Sequence, residues 1–319
     1  MHKHSKRVSQ VHIKENMLIN DLITELKGSG FGAGRLADAC EIFQEMVYDS
    51  ETKVFCGLAG ALVPAGQREV IVEAINRGFI DVLVTTGATL THDLIESFGF
   101  HHERGYEDEE DSRLREHGIS RIYDVFVSDE AFNQLEIRLH SILASLYPKK
   151  DQKHVVSTDR LLKSLGESLS DPHSILSAAA TNHVPIFCPA ITDSILGLHI
   201  MFYAQQHGLL IDPLKELQEI INLAFDAPTT GALVVGGGVP KNYVFQSMLV
   251  SGKMLKYVVQ ITMDRPEHGG LSGASIEESM SWGKVREDAL YTTVVMDATV
   301  ALPIIVQYAV QNPKSKSEK

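Results

Sequence analysis

The chain has 319 residues, 44% hydrophobic and 22% charged, enough to bury a large core in one big domain or two small ones. Asp and Glu outnumber Lys and Arg by 41 to 29, a formal net charge of -12, which argues against a nucleic-acid binder and suits cationic small substrates. Cys40, Cys56 and Cys188 are scattered, with no CxxC pair and no metal spacing, so a reduced, cytoplasmic protein is expected.

Residues 1–16 are polar, lack the apolar run of a signal peptide and read as a mobile arm. A helix is expected over 17–27. The run Gly28-Ser-Gly-Phe-Gly-Ala-Gly34 follows no strand, so it reads as a plain helix–helix connection and not as a phosphate loop. A second helix is expected over 35–48. From there short apolar strands open onto Gly/Thr/Ala loops and then helices, the pattern of parallel βα units. Strands are expected at 53–58, 80–84, 184–188, 232–235, 257–262 and 291–296. Helices are expected at 67–76, 91–98, 129–146, 158–168, 174–180, 193–203, 213–225, from Pro240, and from 298 to about 310. Asp193 is the expected N-cap of its helix.

The stretch 101–121 carries Glu107-Asp-Glu-Glu-Asp111 and reads as a solvated excursion, with a docking loop for a basic partner as the alternative. Residues 147–153 read as a connector and 312–319 as a disordered tail. No apolar stretch reaches membrane-spanning length. The expected fold is α/β: a single large Rossmann-like domain over 17–311, with a mostly parallel sheet and helices on both faces.

Ligands of such sheets bind at the carboxyl ends of the strands. At one of those ends, Gly236-Gly-Gly238 between a strand and a helix lets backbone N–H groups approach a pyrophosphate; a tight turn chosen for packing is the alternative. At another, Thr85-Thr86-Gly87 offers hydroxyl donors. Asp297 could accept from a ribose or adenine group, or could cap the last helix. No metal is assigned: His101, His102 and the N-terminal histidines lack a repeated i, i+4 pairing on one helix.

The stretch Glu277-Glu-Ser-Met-Ser-Trp-Gly-Lys284 holds the only tryptophan. It reads as a short polar helix that stops at Gly283 and leaves Lys284 at the stop. Helical spacing puts Glu278 and Trp282 on one face. Lys284, beside an indole and a carboxylate and away from bulk water, could lose its proton and attack an imine or carbonyl carbon. A surface salt bridge beside a packed tryptophan is the plainer reading.

Gly236-Gly-Gly-Val-Pro-Lys241, Ser272-Gly-Ala274, Glu278, Ser281-Trp-Gly-Lys284 and Asp297-Ala298, at this spacing, resemble the deoxyhypusine synthase family. Asp81-Val-Leu-Val-Thr-Thr86, Pro189-Ala-Ile-Thr-Asp193 and Leu196-Gly197 extend the resemblance, which runs from about residue 17 to 310. It implies an NAD-dependent transferase of alkyl groups. Such enzymes oxidise a polyamine, usually spermidine, capture its aminobutyl part on a lysine and pass it to an acceptor amine. In deoxyhypusine synthase the acceptor is a lysine of a translation factor precursor; in homospermidine synthase it is putrescine. By resemblance Lys284 is the catalytic lysine, and Glu278 and Trp282 line the polyamine tunnel. Thr86, Asp193, Gly237, Gly238, Ser272, Asp297 and Ala298 contact NAD. The resemblance also implies a homotetramer with active sites at subunit interfaces, an amine or polyamine substrate, and no nucleic-acid or membrane partner.

Several positions depart from the family pattern. Asn242 stands where the family has a histidine important for redox transfer. Leu198 and Leu271 stand where it has aspartates that hold ammonium groups. His268 stands for a third aspartate, near the cofactor, and His92 for a cofactor-side glutamate. Each leucine in place of an anionic anchor removes a charge-assisted hydrogen bond of roughly 1.5–3 kcal/mol, so the two together would weaken spermidine binding on the order of a hundredfold or more. The expectation is a donor with fewer ammonium groups or with an apolar segment. Authentic deoxyhypusine synthase or homospermidine synthase activity, and a non-catalytic NAD-binding or regulatory relative, are the alternatives.

Overall fold

The computed structural model describes residues 7–148 and 153–314. The start of the expected arm, the middle of the expected connector and the end of the expected tail lie outside the described residues.

The elements begin with α1 (Ile19–Leu26), α2 (Phe31–Tyr48), β1 (Thr52–Leu58), α3 (Arg68–Asn76), β2 (Val82–Val84), α4 (Gly87–Ser97) and β3 (Glu103–Arg104). Next come α5 (Asp111–Glu116), β4 (Ile119–Ile122), β5 (Val125–Ser128), α6 (Asp129–Leu146), β6 (His154–Val156), α7 (Thr158–Glu167), α8 (Ile175–Thr181) and β7 (Ile186–Phe187). Then follow α9 (Ile195–His207), β8 (Leu209–Ile211), α10 (Pro213–Asp226), β9 (Thr229–Val235), α11 (Gly238–Ser251) and β10 (Leu255–Thr262). The last are α12 (Ile276–Ser281), β11 (Val285–Val295) and α13 (Ala298–Gln311). This is the expected α/β class. Among the described residues no helix is long and apolar enough to cross a membrane.

Contacts divide the chain into two compact units, one of Met1–Gly57 with Leu223–Lys319 and one of Leu58–Asn222. In the first unit the strands run in the order β11-β10-β9-β1. β10 is parallel to β9, from Tyr257 beside Gly231 to Ile261 beside Val235. It is also parallel to β11, with Val258 beside Tyr291. Val234, Val235, Val258, Val259 and Ile261 are all fully buried, as a strand covered on both faces requires. α2 packs on β10, β11 and α13 through a buried stripe that includes Leu36, Cys40, Phe43 and Met46. Burying a side chain such as Phe43 is worth about 1.5–3 kcal/mol. A Cβ on Gly231 would stand 2.5 Å from Met46 Sδ, so any larger residue there would have to push the buried Met46 side chain aside.

In the second unit β2 and β7 pair in parallel, Leu83 beside Ile186 and Val84 beside Phe187. α4 contacts α6, α8 and α9. Asp93, wholly buried on α4, accepts hydrogen bonds from Arg68 Nε (2.7 Å), Ser174 Oγ (2.8 Å), Ile175 N (3.0 Å) and Leu176 N (3.1 Å). One carboxylate thus caps α8 and joins it to α3 and α4. Removing one partner of such a buried pair costs about 3–5 kcal/mol.

The structure departs from the sequence expectation at several places. Half of the glycine run is helical: α2 begins at Phe31, and Gly34 fits because its missing Cβ leaves room for the Ser29 carbonyl oxygen, 2.3 Å from where that atom would be. The stretch read as a solvated excursion is largely exposed as expected, with Leu114 buried, but it also holds α5 and contributes β3 and β4 to an antiparallel sheet of order β3-β5-β4, with Arg121 Nε donating to Asp111 at 2.6 Å. β6 and β8 form a small parallel pair that three-residue runs do not signal. Finally, Ser194 and not Asp193 caps α9, accepting from Gly197 N at 3.0 Å, because a turn closed by Asp193 N on the Ala190 carbonyl carries the chain one residue further.

Candidate active site

α12 follows a glycine-rich loop after β10. Ser275 caps it, its Oγ accepting from Glu278 N at 3.2 Å. Gly283 stops it with φ +67°, which L side chains rarely adopt. Lys284 N then donates to the Ser279 carbonyl at 3.1 Å, and Leu255 N donates to the Lys284 carbonyl at 3.0 Å. The backbone of Lys284 is therefore already tied to β10 while its side chain leaves from the helix stop. The lysine stands where the sequence put it, but β11 begins at Val285, six residues before the expected strand.

Lys284 Nζ lies 5.7 Å from the centroid of the Trp282 ring, within cation–π range. Trp282 is 62% exposed and Lys284 half-buried, so within one chain neither the dry setting nor the packed tryptophan of the sequence reading is present. Among the described residues Lys284 has no ion pair, so the surface salt bridge is absent too. Lys284, Trp282, Glu278, Leu271 and Asn242 all line one cavity of about 360 Å³. Five of the sequence candidates meet there.

A sixth lining residue was not among the candidates. Lys241, in the first turn of α11, is 3% exposed. Its Nζ donates to the carbonyls of Ala274 (2.6 Å) and Leu271 (2.9 Å) and to Gln260 Oε1 (3.2 Å). Burial pushes its ammonium down to about 8, with Lys284 adding to the fall and Glu278 opposing it. Gln260 also donates to the Ser272 carbonyl at 2.9 Å. Together Lys241 and Gln260 pin the loop that leads into α12. The available signal was a lysine inside an otherwise apolar helix turn.

Beside this loop β9 passes into α11 through Gly236 (φ +77°), Gly237 and Gly238 (φ +57°). A Cβ on Gly237 would lie 2.4 Å from Ser272 Cα, so the two loops meet backbone to backbone. α11 has no side-chain cap at its N-terminus, and a Cβ on Gly238 would face open space. Uncapped N–H groups over an open glycine turn fit an anionic group such as a pyrophosphate. Asp264, also absent from the candidates, accepts from Ser272 Oγ (2.5 Å) and Arg265 N (2.8 Å) and contacts His268 Nδ1 (2.8 Å). These bonds, Ser272 first, hold its carboxyl down to about 2. A carboxylate therefore remains beside the position that His268 occupies. Asp297 caps α13, accepting from Thr299 N at 2.7 Å, and Ala298 is the first residue of that helix.

In the second unit Thr86 caps α4, accepting from Thr89 N at 3.2 Å. Asp193 and Leu198 are exposed. His92 Nδ1 is 2.8 Å from His102 Nε2, and His102 Nδ1 is 2.6 Å from Glu96 Oε1. Burial pushes His92 down to about 4, and His102 adds to the fall. Glu96 is held down to about 2 by hydrogen bonds from His102 and His101, against the opposing effect of its burial.

The family profile of deoxyhypusine synthase matches residues 21–309. The chain belongs to the deoxyhypusine synthase family. It is 46% identical over 309 residues to a Methanosarcina acetivorans protein named "Probable deoxyhypusine synthase 1", covering 97% of this chain and 96% of that one. It is 41% identical over 302 residues to an Archaeoglobus fulgidus protein of the same name, covering 95% and 97%. The structure is also similar to that of a deoxyhypusine synthase candidate from Entamoeba histolytica, with TM-score 0.66, 18% identity and 94% and 95% coverage, a likeness of fold. The deoxyhypusine synthase family is one of transferases, so the expected alkyl-transferring enzyme stands.

Proposed function

We propose that this protein moves an aminoalkyl group of the aminobutyl type from an amine donor to an amine acceptor through an imine on Lys284. The carrying observation is the cavity in which Lys284 stands at the indole of Trp282 with Glu278 among its lining residues. The Lys284 amine adds to the imine carbon of the oxidised donor. The bond from that carbon to the donor's remaining amine breaks, and this amine leaves protonated. The acceptor amine then adds to the same carbon and Lys284 departs. Glu278 pairs with a donor ammonium, and Trp282 offers a π face to the cationic chain.

NAD is the redox partner in this reading; when bound it takes two electrons from the donor amine and returns them at the end. Gly237, Gly238 and Ser272 would hold its pyrophosphate at the uncapped start of α11, with Asp297 and Ala298 at the start of α13. The assignments of Thr86, Asp193 and His92 rest on the family resemblance alone.

Glu278 is the sole carboxylate among the residues lining the cavity, where two lysines and Leu271 also stand. This supports a donor with fewer ammonium groups than spermidine. A homotetramer is supported by an apolar stripe on α9, where Ile195, Leu198, Met201 and Phe202 are each 39% to 45% exposed. The buried thiols of Cys40, Cys56 and Cys188 support a reducing, cytoplasmic setting.

Borohydride trapping in the presence of NAD and a panel of di- and polyamines tests the proposal. The expected result is an adduct mapped by mass spectrometry to Lys284, strongest with a diamine or an N-alkylated diamine. Lys284→Arg should lose the adduct and about a thousandfold or more of the transfer rate. A full rate without Lys284 overturns the imine route. A preference for spermidine at ordinary family affinity overturns the altered donor.

A further inference from the structure

α6 carries Glu136 and His140 four residues apart, hence on one face of the helix. α9 packs against α6 and brings His199 to that face. Each of the three side chains offers one ligand atom, and these atoms lie within 4.8 Å of one another. His199 Nδ1 is 3.9 Å from Glu136 Oε2.

Two observations separate this trio from an ordinary helix contact. His199 is 8% exposed, and its Nδ1 is buried without a hydrogen-bond partner. A native fold leaves few buried polar atoms unpaired, and a bound ion is one of the standard partners of such an atom. His140 Nε2 lies 3.0 Å from the His199 carbonyl oxygen. Donation of Nε2–H to that carbonyl selects the tautomer that leaves Nδ1 with a free lone pair, as a backbone carbonyl does for many metal-bound histidines.

We propose that Glu136, His140 and His199 form a binding site for a divalent first-row transition ion of the zinc or cobalt class, joining α6 to α9. Two imidazoles and one carboxylate suit such ions, and a water would complete a tetrahedron. Bond lengths of about 2.0–2.2 Å require the ligand atoms to draw closer than 4.8 Å. Glu136 can supply that movement, since its side chain is 48% exposed.

The test uses the full chain, treated with a chelator and then titrated with Co²⁺. The expected result is one bound equivalent with visible d–d absorption, displaced by Zn²⁺, and a higher thermal midpoint with metal than without. Glu136→Gln and His140→Asn, both accessible enough to leave the fold intact by circular dichroism, should each weaken binding tenfold or more. His199→Asn should remove the absorption. Equal affinity and stoichiometry in all three variants would place the metal elsewhere and overturn the site. So would absence of binding up to about 1 mM Co²⁺, too weak for a built site.

Discussion

The ammonium of Lys241 donates to the Ala274 carbonyl at 2.6 Å, and this bond ties the first turn of α11 to the loop that enters α12. α12 in turn carries Glu278 and delivers Lys284 at its end. The position of the candidate nucleophile thus depends on a second lysine that shares its cavity.

Lys241→Met would leave the carbonyls of Leu271 and Ala274 without their donor. A loss of roughly 1–3 kcal/mol of stability is expected, with a lower transfer rate as α12 loosens. Stability also acquires a pH dependence. Folding lowers this ammonium from its ordinary value of 10.5 to about 8, so above pH 8 the folded chain releases a proton that the unfolded chain still holds. Stability from this group therefore rises with pH between about 8 and 10.5, by about 1.4 kcal/mol per unit at most. Urea denaturation of both proteins at pH of about 7.5 and 10 reads the difference. An equal slope in wild type and variant contradicts the assignment.

Glu96 stabilises the fold as a carboxylate. Its pKa falls from 4.5 to about 2 on folding, so the contribution is complete above 4.5 and lost as pH falls towards 2. His92 is pushed down from 6.5 to about 4, so the unfolded chain takes up that proton first and stability also falls from pH 6.5 to 4. Glu96→Gln should flatten the acid limb below pH 4.5, and His92→Gln the limb above it. Circular dichroism across an acid titration separates them; identical acid midpoints in all three proteins would refute both.

Gly237→Ala places a methyl group 2.4 Å from Ser272 Cα. One of the two loops must shift, at a cost of about 1–3 kcal/mol. If this turn cradles a pyrophosphate, NADH affinity falls by more than tenfold, and fluorescence titration measures that. Unchanged affinity with a lowered thermal midpoint would leave the turn as packing alone.

Lys284 at a helix stop, the glycine turn before α11 and Asp297 at a helix start were all legible in the chain. Each depends on residues within a few positions of one another: a glycine that takes positive φ, a strand that opens onto glycines, a short acidic side chain before an apolar helix. The small sheet within the solvated excursion and the cap of α9 were missed for the converse reason. Arg121 reaches Asp111 across a turn, and Ser194 displaces Asp193 by a single residue, and neither leaves a trace in periodicity.

The sequence by itself determined the parallel βα order and the place of Lys284, because strand and helix periods and turn residues are set by near neighbours along the chain, and the motifs around Lys284 carried the resemblance to the family. Only the tertiary structure decided that Lys241 is buried under two carbonyls, that Asp264 supplies a carboxylate beside His268, that His92 leads through His102 to Glu96, and that His199 faces Glu136 and His140. Apart from Asp264 and His268, four residues apart in one loop, those meetings join a helix to another helix or to a loop. Their distances and their burial come from packing, and burial sets which polar groups must find a partner.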